Sequence, residues 1–289
     1  MKLSVVITTF SRPKLFEKCF KSVRAANYNK DFKIIVIHQK GNEALEKIIE
    51  KNEKDIDYLF KIDTIGRNAL ENININRMLG NMFAYNILQD DFVLGIEDDS
   101  VLAPDALEFT KSIFLKYKNE KYFRGINLGS FENDENIGDA AYSILRYGLN
   151  GHAGGLSRET WQKFNERSLI INSNSVPLDS MLENYVKTGF MVTPNKSRYI
   201  NYGWDGTHGP KNPADDFYIK IASSFKSLNT SSKFEYINVN IKHNWRNDCV
   251  IFKKNDNFKY YLHHTVDKLR ISVTNNILLH RMLMKMFKN

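Results

Sequence analysis

Residues 3–10, "LSVVITTF", form a β-branched apolar run that Ser11, Arg12 and Pro13 interrupt, which predicts a buried strand and then a turn. In "PKLFEKCFKSVRAA" (13–26), Leu15, Cys19, Phe20 and Val23 recur at helical spacing, and Pro13 suits a first helical turn. "FKIIVIHQ" (32–39) predicts a second buried strand and "EALEKIIEKNEK" (43–54) a second helix. "NININRMLGNMFAYNIL" (72–88) has the period of a third helix, and "DFVLGIEDD" (91–99) reads as a further strand. Strands alternating with helices imply an α/β fold with a mainly parallel sheet and right-handed crossovers. Ligands of such sheets bind beyond the carboxyl ends of the strands. The ends at Thr8–Arg12, His38–Gln39 and Glu97–Asp99 should therefore lie along one edge.

Past residue 120 the pattern is less regular. "YFRGINLGSF" suggests another strand and "ENDENIGDAA" a polar loop. "NGHAGGLSRETWQKF" (150–164) joins a glycine cluster to a helix capped by Ser157. "VPLDSMLENYVKTG" (176–189) predicts a short helix with Asp179 in its first turn, and "NKSRYINYGWDGTHGP" (195–210) a glycine-rich loop.

Composition narrows the class. The 289-residue chain is 42% hydrophobic and 26% charged, an ordinary globular balance, and long enough for one large α/β domain with an appendage. No stretch reaches about 18 consecutive apolar residues, so no membrane-spanning helix is expected. The first residues have too short an apolar run for a signal peptide. Only Cys19 and Cys249 occur, far apart, which excludes a disulfide framework and fits a reducing, cytoplasmic compartment. The formal charge of +8 would suit an anionic membrane face or a phosphate-bearing substrate. Nothing but that charge points to nucleic acid, so no nucleic-acid partner is expected. The tail "VTNNILLHRMLMKMFKN" mixes apolar residues with His280, Arg281, Lys285 and Lys288, a composition that suits peripheral contact with an anionic membrane or packing on the body.

The sharpest chemical signal is Glu97-Asp98-Asp99 at a strand end. Like charges side by side repel, and burial without compensation costs several kcal/mol. Mn²⁺ or Mg²⁺ takes carboxylate oxygens and fills its shell with water and substrate phosphates. Adjacent residues of a strand point to opposite sides, so only one or two of the three should reach such an ion. A solvated acidic turn before the Pro104-Asp105 helix start is the plainer alternative.

"EDDSVLAPDALEF" resembles the metal-binding strand of nucleotide-sugar glycosyltransferases of the GT-A fold, and especially the "EDD-x-x-x-APD" signature of the N-acetylglucosaminyltransferase I family. In the same order, "NGHAGGLSRETWQKF", "PLDSMLENY" and "PNKSRYINYGWDGTHG" are similar to that family's acceptor-side, "WDDWM" and "P-x-x-SR … HG" segments. "VVITTFSRP" and "IIVIHQKGNE" resemble its first two strands. The likeness covers residues 3 to 210 in outline. It implies a GT-A-like, Rossmann-like domain over residues 1–228, with a nucleotide-binding half to about residue 100 and an acceptor-side half from 101. Residues 229–289 would be a smaller basic extension, helical or irregular.

The resemblance also implies roles. Asp99 would ligate the metal, Asp98 would contact the ribose or donor sugar, and Glu97 would lie on the donor-sugar side. Thr8, Thr9 and Arg12 would hold the nucleotide. Gln39 stands where the family has a uracil-contacting aspartate, and Asn74 where it has a histidine. Ser197, Arg198 and His208 would close over the diphosphate, and Asp179 would deprotonate the acceptor hydroxyl. The function implied is a metal-dependent, inverting glycosyltransferase moving N-acetylglucosamine or another hexose from a UDP-sugar to a carbohydrate or glycolipid acceptor. A sugar nucleotidyltransferase and a non-catalytic sugar- or nucleotide-binding module are the rival readings.

Overall fold

The computed structural model describes residues 1–129 except Ile65 and Arg67, together with 142–145, 153–168, 186, 189–194 and 197–203. Structural statements below concern these residues. The elements run β1 (Leu3–Thr9), α1 (Pro13–Ala25), β2 (Phe32–Gln39), α2 (Glu43–Lys51), β3 (Tyr58–Ile62), α3 (Ala69–Met82), β4 (Phe92–Glu97), β5 (Ser100–Leu102) and α4 (Ala106–Tyr117). They continue with β6 (Phe123–Asn127), β7 (Tyr142–Leu145), β8 (Ala153–Ser157), α5 (Arg158–Ser168), β9 (Phe190–Pro194) and β10 (Tyr199–Asn201).

Eight strands form one sheet in the order β3-β2-β1-β4-β8-β6-β9-β7, and β10 pairs with β5 in a second, two-stranded one. The β3-β2-β1-β4 half is wholly parallel. β8 runs antiparallel to both β4 and β6. Alternation along the strands divides the core between the two faces. Leu3, Val5 and Ile7 pack with Phe16, Cys19, Phe20 and Val23 of α1, Leu45 and Ile49 of α2, and the apolar side of α4. Val6, Ile35 and Ile37 pack on the other face with Met78 and Leu79 of α3 and Trp161 of α5. Each fully buried aliphatic side chain contributes about 1.5–3 kcal/mol.

Most expected elements are present, with informative shifts. Phe16, not Leu15, is the buried residue of the first turn of α1. The third helix ends at Met82 and continues as one π-helical turn over Phe83–Ile87. The expected glycine cluster is strand β8, followed by α5, where the Thr160 N–H donates to Ser157 Oγ at 3.2 Å as the capping reading required. The polar loop at "ENDENIGDAA", the helix carrying Asp179 and the extension 229–289 lie outside the described residues. No helix among the described residues is long and apolar enough to cross a membrane.

Candidate active site

The strand order turns outward in both directions from β1, which creates the crevice where open α/β sheets bind ligands. Register fixes its rim. Thr9 lies opposite His38 of β2, and Thr8 opposite Glu97 of β4, so the three carboxyl ends are level. β4 stops at Glu97, and Asp98 and Asp99 form a turn before β5. This corrects the expectation of an acid triplet on one extended strand. A turn does not alternate its side chains, so Asp98 and Asp99 both reach the same partner.

That partner is Arg12, the residue preceding α1. Its Nη1 donates to Asp99 Oδ2 at 2.5 Å and its Nη2 donates to Asp98 Oδ1. Thr9 Oγ1 donates to Asp98 Oδ2 at 2.8 Å. The side chains of Asp98 and Asp99 are only 3% and 5% exposed, against 38% for Arg12. Burial is the largest influence on Asp98 and raises its pKa above the ordinary carboxylate value, with Arg12, Thr9 and the Phe10 N–H offsetting part of the rise. For Arg12, burial works against the charge, but Asp98 and Asp99 outweigh it and its pKa is raised. Glu97 faces a different cation, Arg77 of α3, at 3.9 Å.

Three other residues close the turn. The Tyr202 N–H donates to the Asp99 carbonyl at 2.8 Å. Gly203 lies so close that a Cβ there would fall 1.9 Å from Asp99 Oδ2 and 2.8 Å from Arg12 Nη1. Beneath, the buried Cys19 thiol donates to the Glu97 carbonyl at 3.5 Å, and burial raises its pKa well above the ordinary thiol value. Neither Arg77 nor Gly203 stands out in the sequence as part of this turn. Only the glycine-rich character of residues 195–210 hinted at a close backbone approach.

The remaining candidates separate. Gln39 is buried at the end of β2, where its Nε2 donates to Thr64 Oγ1 at 2.7 Å and its Oε1 accepts from Asn76 Nδ2 at 3.4 Å. Asn74 is buried two positions earlier on α3, so the α3 amide that meets Gln39 is that of Asn76. Thr8 is partly buried and lines a cleft with Arg77, Asn81, Tyr85 and Gly95. Phe10 stands 48% exposed just beyond β1.

Ser197 and Arg198 bond within the protein. Ser197 Oγ donates to the Tyr199 carbonyl at 2.7 Å within its own turn. Arg198 Nε donates to Asp105 Oδ2 at 3.2 Å in an ion pair whose side chains are 5% and 6% exposed. The guanidinium also lies 5.5 Å from the centroid of the Phe109 ring. The two residues therefore anchor the segment leading to Tyr202 and Gly203, which meets the acid turn. Asp179 and His208 lie outside the described residues.

The donor set can be tested for a metal. Among the described residues no group of three or more His, Cys, Asp or Glu converges to hold one. Two hard carboxylates do converge on a single cation position, where the Arg12 guanidinium stands in. That pair fits a divalent ion that completes its shell with water and diphosphate oxygens, provided Arg12 yields the position.

Comparison with known proteins agrees with this architecture. Over 125 residues, 42% of this chain and 36% of the other, the sequence is 29% identical to the GalNAc(5)-diNAcBac-PP-undecaprenol beta-1,3-glucosyltransferase of Campylobacter jejuni. The fold matches that of S. aureus TarS 1-349 with a TM-score of 0.51 at 12% identity, covering 69% of this chain and 59% of that one. The same protein in complex with UDP-GlcNAc matches with a TM-score of 0.52 at 13% identity, over 78% and 66%. The chain thus spans about a third of the curated relative's length. The fold is the mainly parallel, Rossmann-like GT-A arrangement of helices around a sheet. Residues 4–116, which run from β1 into α4 and carry Arg12, Asp98 and Asp99, match the family described as glycosyl transferase family 2.

Proposed function

We propose that the chain is a metal-dependent, inverting glycosyltransferase that moves a sugar from a UDP-sugar to a glycan carried on a lipid. The observation that carries this reading is the Arg12–Asp98–Asp99 cluster at the level ends of β1 and β4. The match to glycosyl transferase family 2 supports it, as does the relative named for a lipid-linked acceptor. The UDP-GlcNAc complex of the fold neighbour makes N-acetylglucosamine the first donor sugar to try, ahead of other hexoses.

The chemistry assigns work to this chain's residues. Thr9 orients Asp98, whose remaining lone pairs can accept from a ribose or sugar hydroxyl. Gln39 keeps one amide N–H and one carbonyl lone pair for a base edge after Thr64 and Asn76 are served. The exposed ring of Phe10 offers a stacking face. As the sugar leaves through an oxocarbenium-like state, negative charge gathers on the diphosphate. A divalent ion held by Asp99 would offset that charge where it develops. Arg12 adds a positive group on the same side. The acceptor alcohol is a weak nucleophile, and Asp179 is the carboxylate proposed to take its proton from the opposite side. One base and one displacement give inversion.

The narrower likeness to N-acetylglucosaminyltransferase I rests on short motifs, of which "EDD…APD" spans the β4 turn, β5 and the start of α4. The basic tail is proposed to keep the enzyme at the membrane where a lipid-linked acceptor resides.

A thermal-shift panel of UDP-, GDP- and CDP-sugars with and without Mn²⁺ tests the reading. Stabilisation by one UDP-sugar that deepens with Mn²⁺, and slow hydrolysis of that sugar, is the expected result. A shift with ATP or CTP instead would favour the nucleotidyltransferase. Binding without turnover, unaffected by Asp179→Asn, would favour the non-catalytic module.

A further inference from the structure

We infer that Arg12 is the resident cation of the acid turn, that a divalent ion enters only by displacing it, and that the displaced guanidinium passes to the donor's diphosphate. Ion and nucleoside diphosphate would then bind cooperatively, with Arg12 as the positioning residue that couples them. The second half rests on the nucleotide-sugar reading above; the first does not.

The geometry supports displacement in preference to sharing. The guanidinium spans both acids through separate nitrogens, so it covers one oxygen of each, Asp98 Oδ1 and Asp99 Oδ2. Gly203 crowds that same contact: a Cβ there would lie 1.9 Å from Asp99 Oδ2 and 2.8 Å from Arg12 Nη1, so the glycine packs against the oxygen and the guanidinium together. An ion bound to that oxygen must therefore take the place of Arg12 Nη1. Two cations about 4 Å apart also repel, and more strongly where water is scarce.

Mobility is unequal in the same direction. Asp98 and Asp99 are nearly fully buried, and Thr9 and the Tyr202 N–H fix the turn that bears them. Arg12 is more than a third exposed and stands at the start of α1 without a side-chain cap bond. It can swing, whereas the acids cannot. In the free protein it offsets the repulsion of two buried carboxylates. When the ion arrives that task passes to it, and Arg12 gains an anionic partner only if a diphosphate is bound. Linkage makes the effect reciprocal: the nucleotide tightens the ion as much as the ion tightens the nucleotide.

The test is Mn²⁺ binding by the full chain, followed by calorimetry or by the electron paramagnetic resonance of free Mn²⁺, with and without UDP. Wild type should bind Mn²⁺ weakly alone and at least about tenfold more tightly with UDP. Arg12→Gln should bind Mn²⁺ alone about tenfold or more tightly than wild type, with a smaller further gain from UDP. Arg12→Lys keeps the charge but lacks the fork that meets each acid through its own nitrogen, so its affinity for Mn²⁺ alone should fall between; it also serves if Arg12→Gln does not fold. Both variants binding Mn²⁺ no better than wild type would overturn the displacement, and a wild type indifferent to UDP would overturn the coupling. If UDP binds no form of the protein, the donor reading fails, while tighter Mn²⁺ on Arg12→Gln still upholds the displacement.

Discussion

Gly203 shows how much of the site depends on single atoms. A methyl group there would strike the Asp99 carboxylate and the Arg12 guanidinium together. Gly203→Ala should shift the acid turn by a fraction of an ångström to an ångström and lower sugar-nucleotide turnover by roughly tenfold or more, since misplacement of that order is costly in a pre-organised site. Steady-state kinetics with the best donor from the thermal-shift panel checks it. His38, fully buried beside Gln39, gives a prediction for pH. Burial lowers its pKa below the ordinary histidine value, and Glu46, 3.5 Å from Nε2, opposes this in part. The unfolded chain therefore takes up the proton more readily, and stability present at neutral pH should fall as pH drops through about 6.5. Thermal denaturation should show that fall in wild type and a flatter profile in His38→Gln. At this scale the sequence was legible where chemistry is concentrated, in Thr9, Arg12, Asp98 and Asp99. It was silent on Arg77, Asn76 and Gly203, whose parts depend on neighbours far along the chain.

Among the elements, β10 is pinned by a device that the sequence did not reveal. Arg198 reaches Asp105, which precedes α4 and makes no side-chain cap bond there. Burial lowers the Arg198 pKa despite Asp105, so the pair is held at a cost in desolvation. Arg198→Met alone leaves a buried carboxylate without its cation and should destabilise by about 3–5 kcal/mol, whereas Arg198→Met with Asp105→Leu should recover much of the loss. Chemical denaturation of the two variants decides it. Strands β1, β2 and β4 were readable because each is an apolar run buried on both faces. β3 was not, because Tyr58–Ile62 is short and half-exposed. β8 was not, because "AGGLS" looks like a turn. Its glycines are there for space: a Cβ on Gly155 would lie 2.4 Å from the Phe92 ring, and one on Gly125 of β6 would lie 2.0 Å from the Gly155 carbonyl. Strand pairing overrode local propensity there.

The whole molecule joins a parallel half, which brings strand ends level, to a half where β8 reverses direction between β4 and β6. The first half follows from alternating strands and helices and could be derived. The second needs pairings between residues far apart in sequence, which periodicity does not encode. Net charge belongs to this scale too. With +8 overall and basic residues in the tail, the protein should co-sediment with vesicles rich in anionic lipid and not with neutral ones. Binding should weaken steadily as salt rises from about 0.05 to 0.5 M. Equal binding to both vesicle types would rule out a charge-based membrane contact.

Cys19 gives the molecule an internal reporter. Its thiol is sealed under the Glu97 carbonyl in an environment that disfavours the thiolate, so an alkylating reagent meets it only after the floor below the acids has parted. The rate at which mass spectrometry finds this one cysteine labelled would clock the breathing of the catalytic floor, and a ligand that tightens that floor would slow the clock.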